Sequence, residues 1–209
     1  MKNEISNELC IQLNYKNKIH MENKIFTEEL LLQIKQLKRQ YKIDQRYLRM
    51  ASIWSENSYC VRRQVGALLV KDRRIISDGY NGTPSGFPNV CEYIPHSAHT
   101  HTRDEIIEAQ HEGKELHTHS YVLHAEANAI TKIAKSNNSS DGATLYVTAS
   151  PCMECSKLII QSGIKRVVYS EEYRVMDGIT LLQKAGVKCN YIKIDEEFED
   201  SKFYKSILG

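Results

Sequence analysis

The fold is decided by residues 124–169, which read HAEANAITKIAKSNNSSDGATLYVTASPCMECSKLIIQSGIKRVVY. Apolar residues recur with helical spacing over 125–134 and 152–161, and short apolar runs typical of buried strands cover 144–148 and 166–169. Helices that alternate with strands in this way predict crossover units, in which consecutive strands lie parallel.

The same pattern extends on both sides of this stretch. Downstream, residues 179–184 indicate a helix and 187–192 a strand, while upstream residues 65–70 and 74–78 indicate two strands joined by a tight Lys-Asp-Arg turn. We therefore predict a three-layer α/β/α fold with a five-stranded mixed sheet. Functional residues are expected at the carboxyl ends of its strands.

The flanking segments differ from this domain in composition. Residues 1–43 form a polar extension, and within it residues 26–37 carry apolar side chains at helical spacing, which predicts an amphipathic helix. Asp44 is predicted to cap a new helix and to begin the domain, which we place at residues 44–195. A short tail at 196–209 follows.

Length and charge restrict the class of protein. The chain has 209 residues, enough for one well-cored domain, and its apolar runs are too short to cross a bilayer. The N-terminus lacks the apolar stretch of a secretory signal, so we expect a cytoplasmic protein without a membrane partner. A formal net charge of +2 offers no broad positive field, so no nucleic-acid partner is expected.

Two motifs at predicted helix starts supply metal ligands. His124-Ala-Glu126 opens one helix, and Pro151-Cys152-Met-Glu-Cys155 opens the next. One imidazole and two thiolates suffice for a catalytic Zn²⁺, which takes three protein ligands and leaves a fourth position for water. Glu126 is left as a carboxylate suited to take a proton from that water and return it to a ring nitrogen and a leaving amine.

Each motif alone has an ordinary alternative. Cys152 and Cys155 could form a redox pair or half of a structural zinc site, and His124 could simply cap or pack a helix. A redox pair needs no distant His-x-Glu, and a closed structural site needs a fourth ligand, so the combination favours catalysis. Spacing alone does not bring Glu126 and His124 to one ion, because positions i and i+2 of an ideal helix point apart.

His-x-Glu followed by Pro-Cys-x-x-Cys is the signature of zinc nucleobase deaminases. Residues 44–193 resemble the deoxycytidylate deaminase branch of the cytidine deaminase superfamily. The resemblance rests on Val65-Gly66-Ala67, Arg74-Ile-Ile-Ser-Asp-Gly79-Tyr80-Asn81-Gly82-Thr83-Pro84, His124-Ala-Glu126-Ala-Asn128-Ala-Ile130 and Ser150-Pro151-Cys152-Met-Glu-Cys155. It implies a cytidine deaminase-like fold and the zinc-dependent hydrolysis of dCMP to dUMP and ammonia, which supplies dUMP for thymidylate synthesis.

The resemblance also implies roles for single residues. A zinc-bound hydroxide would attack C4 of cytosine while Glu126 moves the protons, Asn81 would contact the deoxyribose, and Ala125 would line the substrate site. A nucleotide further requires a phosphate clamp, for which arginine is suited. Candidates are Arg62 with Arg63 and Tyr173 with Arg174; the alternative is that these arginines are solvated surface residues.

A second cluster surrounds the long glycine- and proline-rich loop of residues 79–100, which we expect to form a lid or a site wall. Some members of the family carry a second, structural zinc in this area. The candidate ligands here are Cys60, Cys91, His111 and His117. The alternative is a buried free thiol beside a polar loop.

The resemblance further implies a homo-oligomer, commonly a hexamer, and in many members regulation by dCTP and dTTP bound with Mg²⁺. Two alternatives stay open. One is another zinc deaminase, acting on tRNA adenosine, a free base or a riboflavin precursor; the net charge of +2 does not favour the tRNA substrate. The other is a non-catalytic protein with this fold in DNA uptake, which would have no use for Glu126.

Overall fold

The computed structural model describes residues 2–173 and 175–194, with side chains from residue 27 onward. The helices are α1 (Lys2–Ser55), α2 (Arg103–His111), α3 (Ala125–Ile133), α4 (Met153–Gln161) and α5 (Asp177–Lys184). The strands are β1 (Gly66–Lys71), β2 (Arg74–Tyr80), β3 (Glu92–Tyr93), β4 (His117–Thr118), β5 (Thr144–Ala149), β6 (Arg166–Glu171) and β7 (Lys188–Tyr191). None of the helices in the described ranges combines the length and apolarity needed to span a bilayer.

The chain divides into two compact units, Met1–Ile43 and Asp44–Gly209. The prediction that Asp44 caps a new helix is wrong, because α1 continues through this position. The Asp44 carboxylate instead accepts hydrogen bonds from the guanidinium of Arg166 at 2.8 and 2.7 Å and from the Tyr146 hydroxyl at 2.8 Å. A buried carboxylate engaged in this way is not available to cap a helix.

The predicted five-stranded mixed sheet is confirmed, in the order β2-β1-β5-β6-β7. Strand β1 pairs antiparallel with both β2 and β5, whereas β5, β6 and β7 run parallel. The strand bounds lie within two residues of the predicted ones. Because of these directions, the start of β1 and the ends of β5 and β6 lie at one edge of the sheet.

Both faces of the sheet are covered, which explains the nearly continuous apolar strands. On β1, Ala67 and Leu69 face a core shared with α3, α4 and α5, whereas Leu68 and Val70 face a second core that includes Leu48 of α1. Helices therefore pack on either side of the sheet. This is the three-layer arrangement that the sequence predicts.

The connection between β2 and α3 is more ordered than the sequence pattern predicts. It contains the short β3–β4 pair and helix α2. Helix α2 begins with a capping box, in which Thr102 accepts a hydrogen bond from the backbone N–H of Glu105 and the Glu105 carboxylate accepts one from the backbone N–H of Thr102. The Thr-x-x-Glu spacing is the signal that would have located this helix from the sequence.

Candidate active site

Two helix starts bring the metal-ligand motifs together. His124 immediately precedes α3 and Cys152 immediately precedes α4, both with extended backbone and without a side-chain capping bond. Nδ1 of His124 lies 3.4 Å from Sγ of Cys152 and 3.4 Å from Sγ of Cys155. The three ligand atoms all lie within 4.8 Å of one another, a donor set and spacing that fit one tetrahedral Zn²⁺ with a free fourth position.

Glu126 lies in the first turn of α3 and is only 4% exposed. Its approach to the ligands resolves the spacing problem: His124 stands outside the helix in extended conformation, so the helical divergence of positions i and i+2 does not apply to this pair. Burial raises the pKa of Glu126, because the charged form loses hydration. The carboxylate is thereby suited to accept a proton near neutral pH.

The two thiols have opposite proton affinities. The hydrogen bond from Cys155, and to a smaller extent the one from His124, lower the pKa of Cys152 to about 3. The hydrogen bond to Cys152, together with burial, raises the pKa of Cys155. The hydrogen bond to Cys152 also raises the pKa of His124. The pair therefore holds one thiolate and one thiol, and a metal that takes both sulfurs must displace a proton.

The cluster opens into a cleft of about 530 Å³, a size typical of small-molecule sites. The cleft lies at the sheet edge where β1 begins and β5 and β6 end. Its lining includes Asn81, Arg62, Arg63, Glu92, Thr118, His124, Ala125, Glu126, Cys152, Glu172 and Tyr173. Most of the residues that the sequence indicates as catalytic or substrate-binding thus share one cavity.

Asn81 supports the cleft wall through its own side chain. Its Oδ1 accepts a hydrogen bond from the backbone N–H of Val65 at 2.7 Å, and its Nδ2 donates to the carbonyl of Arg63 at 2.9 Å. The amide therefore fixes the segment that leads into β1 while it lines the cleft. Its predicted contact with a sugar stays a prediction.

The two adjacent arginines have different partners. Nη1 of Arg62 donates to Oγ1 of Thr118 at 3.1 Å, a neutral acceptor. Nη2 of Arg63 donates to the carboxylate of Glu171 at 2.5 Å, and its guanidinium lies 5.6 Å from the ring centre of Tyr173. Arg174, the other predicted phosphate-binding residue, lies outside the described residues.

The family model for the cytidine and deoxycytidylate deaminase zinc-binding region matches residues 41–171. The chain belongs to this family. It is 38% identical over 148 residues to deoxycytidylate deaminase of Enterobacteria phage T4, covering 60% of this chain and 76% of the phage protein. It is 34% identical over 162 residues to ComE operon protein 2 of Bacillus subtilis, covering 76% of each.

A solved structure of a relative shares this fold. The dCMP deaminase of cyanophage S-TIM5, crystallised with dCMP and dUMP, is 42% identical with a TM-score of 0.60. The match covers 72% of this chain and 97% of the cyanophage chain. The residues that the family model matches, 41–171, run from α1 to the end of β6 and include most of the residues that line the cleft.

The second predicted metal cluster is brought together only in part. Cys60 and Cys91 are buried and their thiols share a hydrogen bond, which lowers the pKa of Cys60 and raises that of Cys91. His111 ends α2 on the surface, and His117 is held at 2.8 Å by Glu115. Within the part of the chain that the structure describes, His124, Cys152 and Cys155 are the only three metal-ligating side chains so close together.

Sequence reasoning missed residues that support this deaminase site through the backbone. Nδ2 of Asn128 donates to the carbonyl of Tyr80 at 2.9 Å, which ties α3 to the end of β2. Oγ of Ser150 accepts from the backbone N–H of Tyr173 at 2.8 Å, which ties the end of β5 to the segment after β6. Both residues stand inside or beside the quoted motifs, but their partners are distant in sequence.

Proposed function

We propose that this chain is a zinc-dependent hydrolase that converts dCMP to dUMP and ammonia. One observation carries the proposal: a His124, Cys152 and Cys155 cluster and the buried Glu126 lie in the same cleft as two arginines. The relatives named deoxycytidylate deaminase, among them the phage T4 protein, support the same reaction.

His124, Cys152 and Cys155 would hold the zinc. When bound, zinc supplies a Lewis acid that makes a water molecule a strong nucleophile near neutral pH. The helix starts serve the thiolates, because free backbone N–H groups at a helix N-terminus stabilise negative charge.

Glu126 would carry the protons. Its carboxylate takes one proton from the attacking water and passes it to N3 of the pyrimidine, and then takes the remaining proton of the new C4 hydroxyl and passes it to the departing amine, so that water and cytosine become uracil and ammonia. The buried position excludes bulk water from this transfer, and the raised pKa keeps the acid form accessible during turnover.

The phosphate would bind at the arginine side of the cleft. Arg62 has a neutral partner, Thr118, which a phosphate can replace without breaking an ion pair. Arg63 is already paired with Glu171. A charge-assisted hydrogen bond contributes roughly 1.5 to 3 kcal/mol, so two or three contacts would favour dCMP over deoxycytidine by a factor on the order of 10³.

The test is to measure turnover of dCMP, CMP, deoxycytidine and tRNA side by side, with and without a zinc chelator. We expect dCMP to be deaminated fastest, the activity to vanish with chelator, and zinc to restore it. Equal turnover of dCMP and deoxycytidine would contradict the phosphate clamp. Turnover of tRNA alone, or none by zinc-loaded protein, would favour the alternative functions.

Finer features of the same enzyme belong to this proposal. We include a homo-oligomer and regulation by dCTP and dTTP with Mg²⁺, both of which come only from the resemblance stated above, and a second zinc that uses Cys60 and Cys91, which the contact of the two thiols supports. The described cysteines are free thiols, which suits a cytoplasmic, reducing location.

A further inference from the structure

The cleft contains a buried carboxylate that the reaction does not use. Glu92, in the two-residue strand β3, is 2% exposed and lines the cleft beside the arginines. Its Oε1 and Oε2 accept hydrogen bonds from the backbone N–H of Val61 at 3.2 and 3.1 Å, and Oε1 accepts another from the backbone N–H of Arg62 at 3.3 Å. The carboxylate therefore fixes two consecutive peptide groups.

Further links connect the same short segment to the connection between β2 and α3. The Cys60 thiol shares a hydrogen bond with Cys91, the residue before Glu92. Nη1 of Arg62 reaches Thr118, which lies opposite Glu92 in the β3–β4 pair. The backbone and the side chain of Arg62 are thus held by two paired residues of this small sheet.

Glu92 differs from the other links because its acceptor is a carboxylate that faces backbone N–H donors. Hydrogen bonds to a carboxylate are stronger than those between neutral groups. A carboxylate that faced the open cleft would repel a phosphate. The observed geometry directs the carboxylate onto the peptide N–H groups of residues 61 and 62, whose fixed backbone then presents the Arg62 guanidinium to the cleft.

From these contacts we propose that Glu92 is a positioning residue, which acts through Arg62 to set the affinity for the 5′-phosphate of the substrate. The inference rests on the proposed function, since it requires a nucleotide that uses Arg62. It assigns to the β3–β4 pair a role in choosing nucleotide over nucleoside. Glu92 does not touch the reacting atoms and takes no part in the proton transfers.

The experiment compares kcat/KM for dCMP and for deoxycytidine in wild type, Glu92→Gln, Arg62→Ala and the double variant. Glu92→Gln should lower the ratio of the two values by about 10-fold or more, mainly through KM for dCMP, because a charged acceptor is lost. In the Arg62→Ala background, the same change should lower the ratio no further, since Glu92 acts through that side chain. If Glu92→Gln lowered the ratio of the two kcat/KM values as much in the Arg62→Ala background as in wild type, the proposal would be overturned.

The matched control is Asp44→Asn, which neutralises another buried carboxylate that accepts several hydrogen bonds, on a different partner, Arg166. It should lower the melting temperature and leave the ratio of the two kcat/KM values unchanged. If Glu92→Gln does not fold, Glu92→Asp, whose shorter side chain displaces the segment, should lower the ratio in its place. A wild-type ratio near one would defeat the proposed function, whereas a high ratio retained in Glu92→Gln would defeat this inference alone.

Discussion

At the scale of single residues, Glu126 has a chemical role that no neighbour can take over. Replacing Glu126 by Gln keeps the shape of the side chain and leaves His124, Cys152 and Cys155 in place. We expect zinc content and melting temperature near those of wild type, with kcat for dCMP lower by about 10² to 10⁴, because general acid and base catalysis is lost.

Steady-state kinetics on protein with measured zinc content checks this expectation. Glu154→Gln is the matched control, since Glu154 belongs to the same Cys-x-x-Cys motif but is exposed and paired with Lys157 at 2.6 Å. It should retain nearly full activity. A zinc-loaded Glu126→Gln protein that turns over dCMP at the normal rate would refute the assignment of the proton carrier.

At the scale of elements, the site depends on how closely α3 approaches β2. A Cβ atom on Gly79 would collide with the carbonyl oxygen of Ala125 and the backbone nitrogen of Ala129, neither of which can rotate away. Glycine at this position therefore lets the helix that begins beside His124 lie directly on the strand. The close approach gives a physical reason for the glycine at position 79.

Gly79→Ala should accordingly displace α3 and the residues at its start. We expect a loss of about 1 to 3 kcal/mol of unfolding free energy, the usual cost of overpacking, together with lower kcat because Glu126 moves relative to the zinc ligands. Gly82→Ala is the control for stability, since a Cβ there meets no atom within 4 Å. Thermal unfolding of both variants decides the matter, and equal melting temperatures would disprove the packing argument.

At the scale of the whole molecule, metal binding and proton binding compete. The folded protein without metal keeps a proton on Cys155, because the hydrogen bond to Cys152 and the burial of Cys155 itself raise its pKa, and this burial ties the equilibrium to the fold. Zinc must displace that proton, so zinc affinity falls as pH falls. We expect saturating zinc to raise the melting temperature by about 5 °C or more at pH 8 and by less at pH 6.

Calorimetry at both pH values, with metal analysis of the same samples, checks this expectation. The analysis also counts the ions: two per chain, falling to one in Cys91→Ser, would support a second zinc at Cys60 and Cys91, and one per chain in both would leave that pair as packed thiols. An identical zinc-induced shift at pH 6 and pH 8 would contradict the proton competition.

The alternation of helices and strands can be read from the residues alone, and with it the five-stranded sheet and the edge at which the motifs lie. The period and the length of an apolar run are local properties of the sequence. The strands of the five-stranded sheet begin and end within two residues of the bounds that these properties predict. The zinc and acid–base motifs were equally readable, because each stands at a helix start in the sequence. The two motifs meet at one edge of the sheet because crossover units fix the direction of the strands that precede them.

Contacts between residues that are distant in sequence are visible only in the folded chain. Asp44 is a residue type favoured at helix N-caps. It lies instead in the interior of α1, and its carboxylate pairs with Arg166 of β6. Glu92 belongs to no motif, yet its carboxylate accepts hydrogen bonds from the backbone N–H groups of Val61 and Arg62. His117 carries the right ligand atoms, yet Glu115 holds it at the surface. A sequence pattern reflects the spacing of residues along one helix or strand. Packing and charge between different elements determine these partners, and a local period contains no information about such contacts.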